Sequence, residues 1–220
     1  EGCRVVLQGQ PILRGKQLKV PGDISAAAFI MVAAVIIPGS EVLISNVGVN
    51  PLRTGIIDVL KEMGAEIEFK EGRTWGKEPV ADIMVRGGKP LKGIEISGAM
   101  VPRLIDEIPA LVVAAAVARG KTVISDADEL RVKESDRISA LAGQFKKLGV
   151  NISEKNDGMV IEGGSSLTGA DVESCGDHRL AMALAVAGLV AEGETAIKDA
   201  EVINVSFPDF MAALRSLMMK

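Results

Sequence analysis

The chain has 220 residues, and a folded protein of this size buries about 70% of the surface it exposes when unfolded, so one or two domains are expected. Hydrophobic residues make up 48% and charged residues 25%, which excludes a disordered or collagen-like chain. Five Phe, one Trp and no Tyr leave little to stack single-stranded nucleic acid, and a net charge of −4 argues against a broad nucleic-acid surface. Any bound anion therefore needs a local cluster of cations.

Cys3 and Cys175 form no CxxC pair, and the single histidine, His178, cannot build a zinc site with them, so no metal is expected. Both cysteines are expected as buried thiols of a reducing cytoplasm. The longest apolar stretch, near residues 24–38, falls short of the ~20 residues that span a bilayer, and no basic-then-apolar leader opens the chain. A cytoplasmic protein is the expectation. The first residue is Glu1 and not Met, which reads as a piece of something longer.

In chain order, an apolar strand comes first, Val5-Val6-Leu7-Gln8, then Gly9, a turn, Leu13 and Gly15. A second strand alternates at Leu18 and Val20. Gly22-Asp23 opens an Ala-rich helix over 24–37, and Gly39 leads into a strand through Val42. An amphipathic helix follows with Leu52, Ile56, Leu60 and Met63 on its apolar face. Gly64 caps it, and a strand is expected at 65–69.

The same series starts again at Ile83-Met84-Val85-Arg86-Gly87 and at Met159-Val160-Ile161-Glu162-Gly163, aligned without a gap through Gly93 and Gly169. The second copy has a strand at Ile94 and Ile96, Asp106, and an Ala-rich helix over 107–118. Its second half has a strand after Gly120, a helix facing inward with Ile138, Leu141, Phe145 and Leu148, and, after Gly149, a strand at 150–154. The third has a weak strand at 171–172, Gly176-Asp177, a helix over 178–191, a strand after Gly193, and a helix facing inward with Phe207, Met211, Leu214 and Met218. No further strand follows it, as though a piece were missing.

The units cover about 3–80, 81–157 and 158–220, with equivalent glycines 76 to 78 residues apart, far longer than a solenoid repeat. A helix apolar on every face must be enclosed by protein. The expected fold class is therefore α/β (α+β): one closed domain of three β-β-α-β-α-β units in threefold pseudo-symmetry, Ala-rich helices inside and sheets outside.

Repeats on one scaffold should differ where function sits. The first difference is Leu130-Arg131-Val132-Lys133-Glu134-Ser135-Asp136-Arg137-Ile138. Lys133 and Arg137, four apart on one helical face at the end disfavouring cations, suit an anion held between them. A solvated charged turn, neutralised by Lys133–Asp136 and Glu134–Arg137 pairs, is the alternative. The second is Gly176-Asp177-His178-Arg179, where Arg179 suits a phosphate or carboxylate, while His178 serves equally as a structural hydrogen-bond donor. Asp23 and Asp177 suit N-caps, and Asp106, with Arg103 before it and Glu107 after it, reads as a cap or as a functional acid. Asp106 also stands thirteen residues past its aligned glycine, against eight in the other copies.

Arg131-Val132-Lys133-Glu134-Ser135-Asp136-Arg137 and Asp177-His178-Arg179-Leu180-Ala181-Met182 resemble the two signatures of the 5-enolpyruvylshikimate-3-phosphate (EPSP) synthase family. Gly22-Asp23-Ile24-Ser25-Ala26-Ala27 and Ser206-Phe207-Pro208-Asp209-Phe210 look like segments of that family in the same order. The resemblance covers the whole chain but about half the family's length, as its C-terminal domain. It implies an inside-out α/β barrel and transfer of the enolpyruvyl group of phosphoenolpyruvate to the 5-hydroxyl of shikimate 3-phosphate, releasing phosphate, in aromatic amino-acid biosynthesis. No cofactor or metal is implied. The implied partner is the family's N-terminal domain, which closes over both substrates.

By resemblance, Arg137 and Arg179 are phosphoenolpyruvate ligands and Lys133 lies between the two substrates. Asp106 grips the shikimate hydroxyls and acts as base, and Glu134 moves the proton at the methylene carbon. His178 is a neighbour of less defined role. Addition to the enol needs a proton delivered to carbon and one removed from a hydroxyl, which two carboxylates and a lysine can shuttle. Two departures stand out: Val205 occupies a position where some members carry a phosphoenolpyruvate-binding Lys, and the family's N-terminal ligands have no counterpart here. The implied fragment is inactive alone. The sister transferase acting on UDP-N-acetylglucosamine, which lacks the Arg-x-Lys-Glu-Ser-Asp-Arg run, and a non-catalytic anion-binding module stay open as alternatives.

Overall fold

A computed structural model describes residues 4–164 and 166–218. Three inner helices run α1 (Ile24–Ile36), α3 (Ile108–Val117) and α5 (His178–Gly188). All of α1 is buried except Ala26 and Ile36, all of α3 except Val117, and all of α5 except Arg179 and Gly188. The alanines Ala114, Ala115, Ala181 and Ala183 let these helices pack directly on one another, each being fully enclosed. Three amphipathic helices, α2 (Gly55–Met63), α4 (Arg137–Lys147) and α6 (Phe210–Met218), accompany them.

Among the described residues, nine strands form three separate sheets. The first has the order β1 (Glu41–Gly48), β3 (Glu78–Arg86), β2 (Glu66–Trp75), antiparallel throughout. The second is β4 (Glu95–Ile96), β5 (Gly120–Ile124), β7 (Gly158–Gly163), β6 (Asn151–Lys155), with β4 parallel to β5. The third is a parallel pair, β8 (Asp171–Glu173) and β9 (Ala196–Lys198). The second and third repeats thus lend their first strands to the sheet of the preceding one: β3 joins β1, and β7 joins β5. Inner helices and outer sheets in three repeats agree with the sequence reading.

The tightest joints are glycines. A Cβ on Gly87 would lie 2.1 Å from the Ile37 carbonyl oxygen, and one on Gly163 2.2 Å from that of Ala115. Only a residue without a side chain lets those strands cross the ends of α1 and α3 so closely.

The structure corrects several expectations. The two strands expected around Val5–Gln8 and Leu18–Val20 are not formed: residues 4–20 are without strand, and Val5, Leu7, Ile12 and Val20 are 82–91% exposed. Only a parallel bridge from Gly22 to Val47 marks the second strand's place. In the other repeats such strands have neighbours to pair with, and a strand without neighbours has no stability of its own. In α6 the inward residues are Phe210 and Leu214, whereas Met211 and Met218 face out, at 40% and 61% exposed. Leu52 precedes α2 and is exposed. Cys175 is an exposed free thiol, not a buried one, because it occupies a left-handed turn (φ 53°) ahead of the Asp177 cap. Cys3 lies outside the described residues. No helix among the described residues is long and apolar enough to cross a membrane.

Candidate functional site

The three inner helices begin at one end of the domain. Ser25, in the first turn of α1, donates its hydroxyl to Glu107 at the start of α3, and the Arg179 guanidinium, from the first turn of α5, donates to the Asp106 carbonyl at 3.2 Å. Three positive helix ends therefore face the same region. Asp23 and Asp177 are N-caps, as their positions suggest: Asp23 accepts from the N–H groups of Ser25 and Ala26, Asp177 from those of Arg179 and Leu180.

Asp106 differs. It lies in a 3-10 turn (Ile105–Glu107) and caps nothing; Glu107 holds the cap position of α3 without a capping bond, and Pro109 fills the first helical turn, where an N–H is not missed. The extra residues before Asp106 make that turn, and they place its carboxylate among three cations. Arg137 Nη1 lies 3.4 Å from Asp106 Oδ1, Lys133 Nζ 3.7 Å from the same oxygen, and Arg179 Nη2 3.8 Å from Oδ2. Asp106 remains about a third exposed.

Lys133 is not on the helical face of Arg137. Helix α4 starts at Arg137, with Asp136 as its cap, so Lys133 and Glu134 belong to the bend before it. The like-charge helical pair therefore does not arise. Lys133 donates to Glu129 at 2.6 Å, which is the main reason its ammonium is held above the usual lysine range; it remains charged at neutral pH. The expected Lys133–Asp136 pair is replaced by Arg131–Asp136 at 2.8 Å, while Glu134–Arg137 is present. Arg131 also donates to the carbonyls of Lys155 and Asn156, so it braces β6 and does not join the cation cluster around Asp106.

Arg137 is the buried centre, 1% exposed. Its Nε donates to Asp177 Oδ2 at 2.7 Å, and its Nη2 donates to Glu134. Burial alone would raise the Asp177 carboxyl; the Arg137 guanidinium and the helix N–H groups outweigh it and hold the carboxyl below the usual range. His178 is 8% exposed, and burial followed by the Arg179 charge lowers its pKa, so the ring is neutral at neutral pH. Lys133, Glu134, Arg137, Arg179 and Asp106 are thus brought into one constellation, with His178 beside Arg179.

Sequence reasoning missed the carboxylate next door. Glu107 is 1% exposed, its carboxyl raised chiefly by burial, and it accepts from Ser25 while Arg53 donates to the same Ser25 hydroxyl at 3.1 Å. Nothing in the local pattern pairs residues 25, 53 and 107; only the packing of α1 against α3 does.

A constellation of this composition can hold a small polyanion, and its carboxylates can exchange protons with it. Comparison with known proteins decides the family: the profile described as EPSP synthase (3-phosphoshikimate 1-carboxyvinyltransferase) matches residues 1–214. The chain belongs to the EPSP synthase family. Among curated relatives, the 3-phosphoshikimate 1-carboxyvinyltransferase of Desulforamulus reducens is 54% identical over 98% of this chain and 50% of its own length. That of a Thermoanaerobacter species is 56% identical over 95% and 51%. The solved EPSP synthase of Acinetobacter baumannii superposes with a TM-score of 0.88 at 44% identity, covering 91% of this chain and 46% of that one. The enolpyruvyl transferase NikO of Streptomyces tendae, at 21% identity and a TM-score of 0.71 over 88% of this chain and 42% of its own, shares the fold. The inside-out α/β architecture is that of this family. The chain spans about half the length of the curated relatives it matches.

Proposed function

We propose that this chain is the C-terminal half of an enzyme that transfers the enolpyruvyl group of phosphoenolpyruvate to the 5-hydroxyl of shikimate 3-phosphate, releasing phosphate. The observation that carries the reading is the placement of Lys133, Arg137 and Arg179 within 4 Å of one uncapped carboxylate, Asp106. Each of these cations belongs to a segment that resembles a family signature.

In this reading Asp106 receives the proton of the 5-hydroxyl as that oxygen bonds to C2 of phosphoenolpyruvate. Glu134 delivers a proton to the methylene carbon, making a methyl group. Elimination then breaks the C2–O bond to phosphate, returns a methyl proton to Glu134 and passes the Asp106 proton to the departing phosphate, so both carboxylates end as they began. Lys133, charged and only partly exposed, stabilises negative charge between the substrates, while Arg137 and Arg179 hold phosphoenolpyruvate. Arg137 is covered as it stands. Glu134, with 43% of its side chain exposed, is the partner free to move, so substrate binding displaces Glu134 from Arg137 toward the methylene carbon. His178, neutral, orders the start of α5 beside Arg179.

Both substrates are anions larger than the described cluster, and the remaining contacts come from the N-terminal half of the enzyme. The test is competition calorimetry with the complete enzyme. Shikimate 3-phosphate is expected to bind and to tighten phosphoenolpyruvate binding, and UDP-N-acetylglucosamine is not. Binding of the UDP-sugar in preference would overturn the substrate assignment.

A further inference from the structure

The Asp106 carboxylate is not fixed by its own contacts. Its three cations stand at 3.4, 3.7 and 3.8 Å, beyond the roughly 2.7–3.2 Å of a well-formed hydrogen bond, so the backbone decides where its oxygens lie. That backbone is a 3-10 turn of three residues, closed by the bond from the Glu107 N–H to the Leu104 carbonyl at 2.9 Å. A single hydrogen-bonded turn has no stability of its own. Both ends of this one are fastened to the first repeat. Upstream, the Arg103 guanidinium donates to Asp58, in the first turn of α2, at 2.6 Å and to the Pro51 carbonyl at 2.9 Å. A Cβ on Gly55, the first residue of α2, would lie 2.9 Å from the Arg103 Cβ and 3.0 Å from its carbonyl oxygen, so α2 also presses directly on the chain at Arg103. Downstream, the buried Glu107 carboxylate accepts from the hydroxyl of Ser25 in α1, and Arg53 donates to that hydroxyl. Asp23 and Asp177, at the same place in the other repeats, are held by the helices they cap.

We propose that Arg103 and Glu107 are positioning residues for Asp106: they hold its turn against α2 and α1, so that the carboxylate meets the hydroxyl it deprotonates. The inference rests on the proposed function, which makes Asp106 the base, and adds what sets that base in place. Arg103 is engaged by Asp58 and Pro51, and Glu107 is 1% exposed, so both act through the turn and not on substrate. The two fastenings differ in chemistry. The upstream one is a charge-assisted clamp between Arg103 and Asp58. The downstream one needs an acceptor oxygen for the Ser25 hydroxyl, but not a charge. A base must stand within hydrogen-bond reach of its proton, and a misplacement of about 1 Å can cost about 100-fold in rate. Loosening the turn therefore lowers kcat. Phosphoenolpyruvate, held in this reading by Arg137 of α4 and Arg179 of α5, binds as before.

The test compares Arg103→Met, Glu107→Ala and Glu107→Gln in the complete protein, by turnover, phosphoenolpyruvate calorimetry and residue-level amide exchange at position 107. Arg103→Met and Glu107→Ala are expected to lower kcat about 10- to 100-fold, with phosphoenolpyruvate affinity within about twofold of the parent. Glu107→Gln, which keeps the acceptor oxygen, is expected to restore kcat to within about threefold of the parent. The residue-107 amide should exchange about tenfold or more faster in Arg103→Met and Glu107→Ala, because the turn it closes is loosened. Asp58→Ala, at a half-exposed position of α2, breaks the same clamp if Arg103→Met does not fold, and is expected to act in the same direction. Unchanged kcat in Arg103→Met and Glu107→Ala overturns the proposal, and so does a fall in phosphoenolpyruvate affinity matching that in kcat. Glu107→Gln as damaging as Glu107→Ala overturns it too, since the carboxylate would then act by its charge. Absence of transfer in the parent protein removes the function instead; exchange at position 107 still decides whether Arg103 and Glu107 fasten the turn, and unchanged exchange overturns that.

Discussion

Arg137 donates through Nε to Asp177 at 2.7 Å, with 1% and 0% of the two side chains exposed, and this pair ties the start of α4 to the start of α5. The two signature segments are thereby one structural unit, and Asp177 serves both as cap and as counter-charge. Breaking a buried pair from one side costs about 3–5 kcal/mol, because the remaining charge is stranded. Asp177→Ala is therefore expected to lower the unfolding free energy by roughly that amount in urea denaturation, loss of the cap included. A loss under about 1 kcal/mol would contradict the assigned burial.

The same pair sets an acid limit. The Asp177 carboxyl is held below its ordinary range in the folded state, so its contribution is present above the unfolded value, near 4, and is lost as pH falls through the native one. Glu107 has the opposite sign: burial raises its carboxyl, so its native environment favours the protonated form and its contribution is lost as pH rises through the raised value. Glu107→Gln, which keeps an oxygen for the Ser25 hydroxyl, is expected to raise the denaturation midpoint at neutral pH. The gain should vanish below the usual glutamate range. A pH-independent effect would show that the charge is not what matters.

Much of this was legible in the chain, and the failures have physical causes. The three Ala-rich helices, and the Asp caps of α1 and α5, follow from composition and local hydrogen bonding, which is why α1, α3 and α5 fall within a few residues of their expected bounds. Asp106 reads in the sequence as a cap or as a functional acid, since a carboxylate before a helix is ambiguous; the 3-10 turn in which it lies, with no capping bond, is visible only in the folded chain. The strands expected over 5–8 and 18–20 have the right pattern, but sheets form by pairing, and pattern does not supply a partner. Glu107 was passed over because its partners, Ser25 and Arg53, come from the first repeat.

For the complete enzyme, Glu134→Gln is expected to lower kcat about 100-fold or more while changing phosphoenolpyruvate affinity little, because the amide keeps the shape but cannot move the proton. Stopped-flow turnover and calorimetry together check it. An unchanged kcat would remove Glu134 from proton transfer.

Arg179→Ala should act on binding instead. Loss of a charge-assisted hydrogen bond to an anionic substrate is expected to weaken phosphoenolpyruvate binding about 10- to 100-fold. The cap at Asp177 accepts from the Arg179 backbone, not its side chain, so the urea midpoint should stay close to that of the parent. Unchanged affinity would place phosphoenolpyruvate elsewhere.

The most direct test of the central claim is phosphate release from phosphoenolpyruvate and shikimate 3-phosphate by this chain alone and after addition of the proposed N-terminal half. The account predicts no measurable turnover by the chain alone and turnover in the reconstituted pair that is abolished by Glu134→Gln. Efficient turnover by the 220-residue chain alone, or none in the pair, would contradict it.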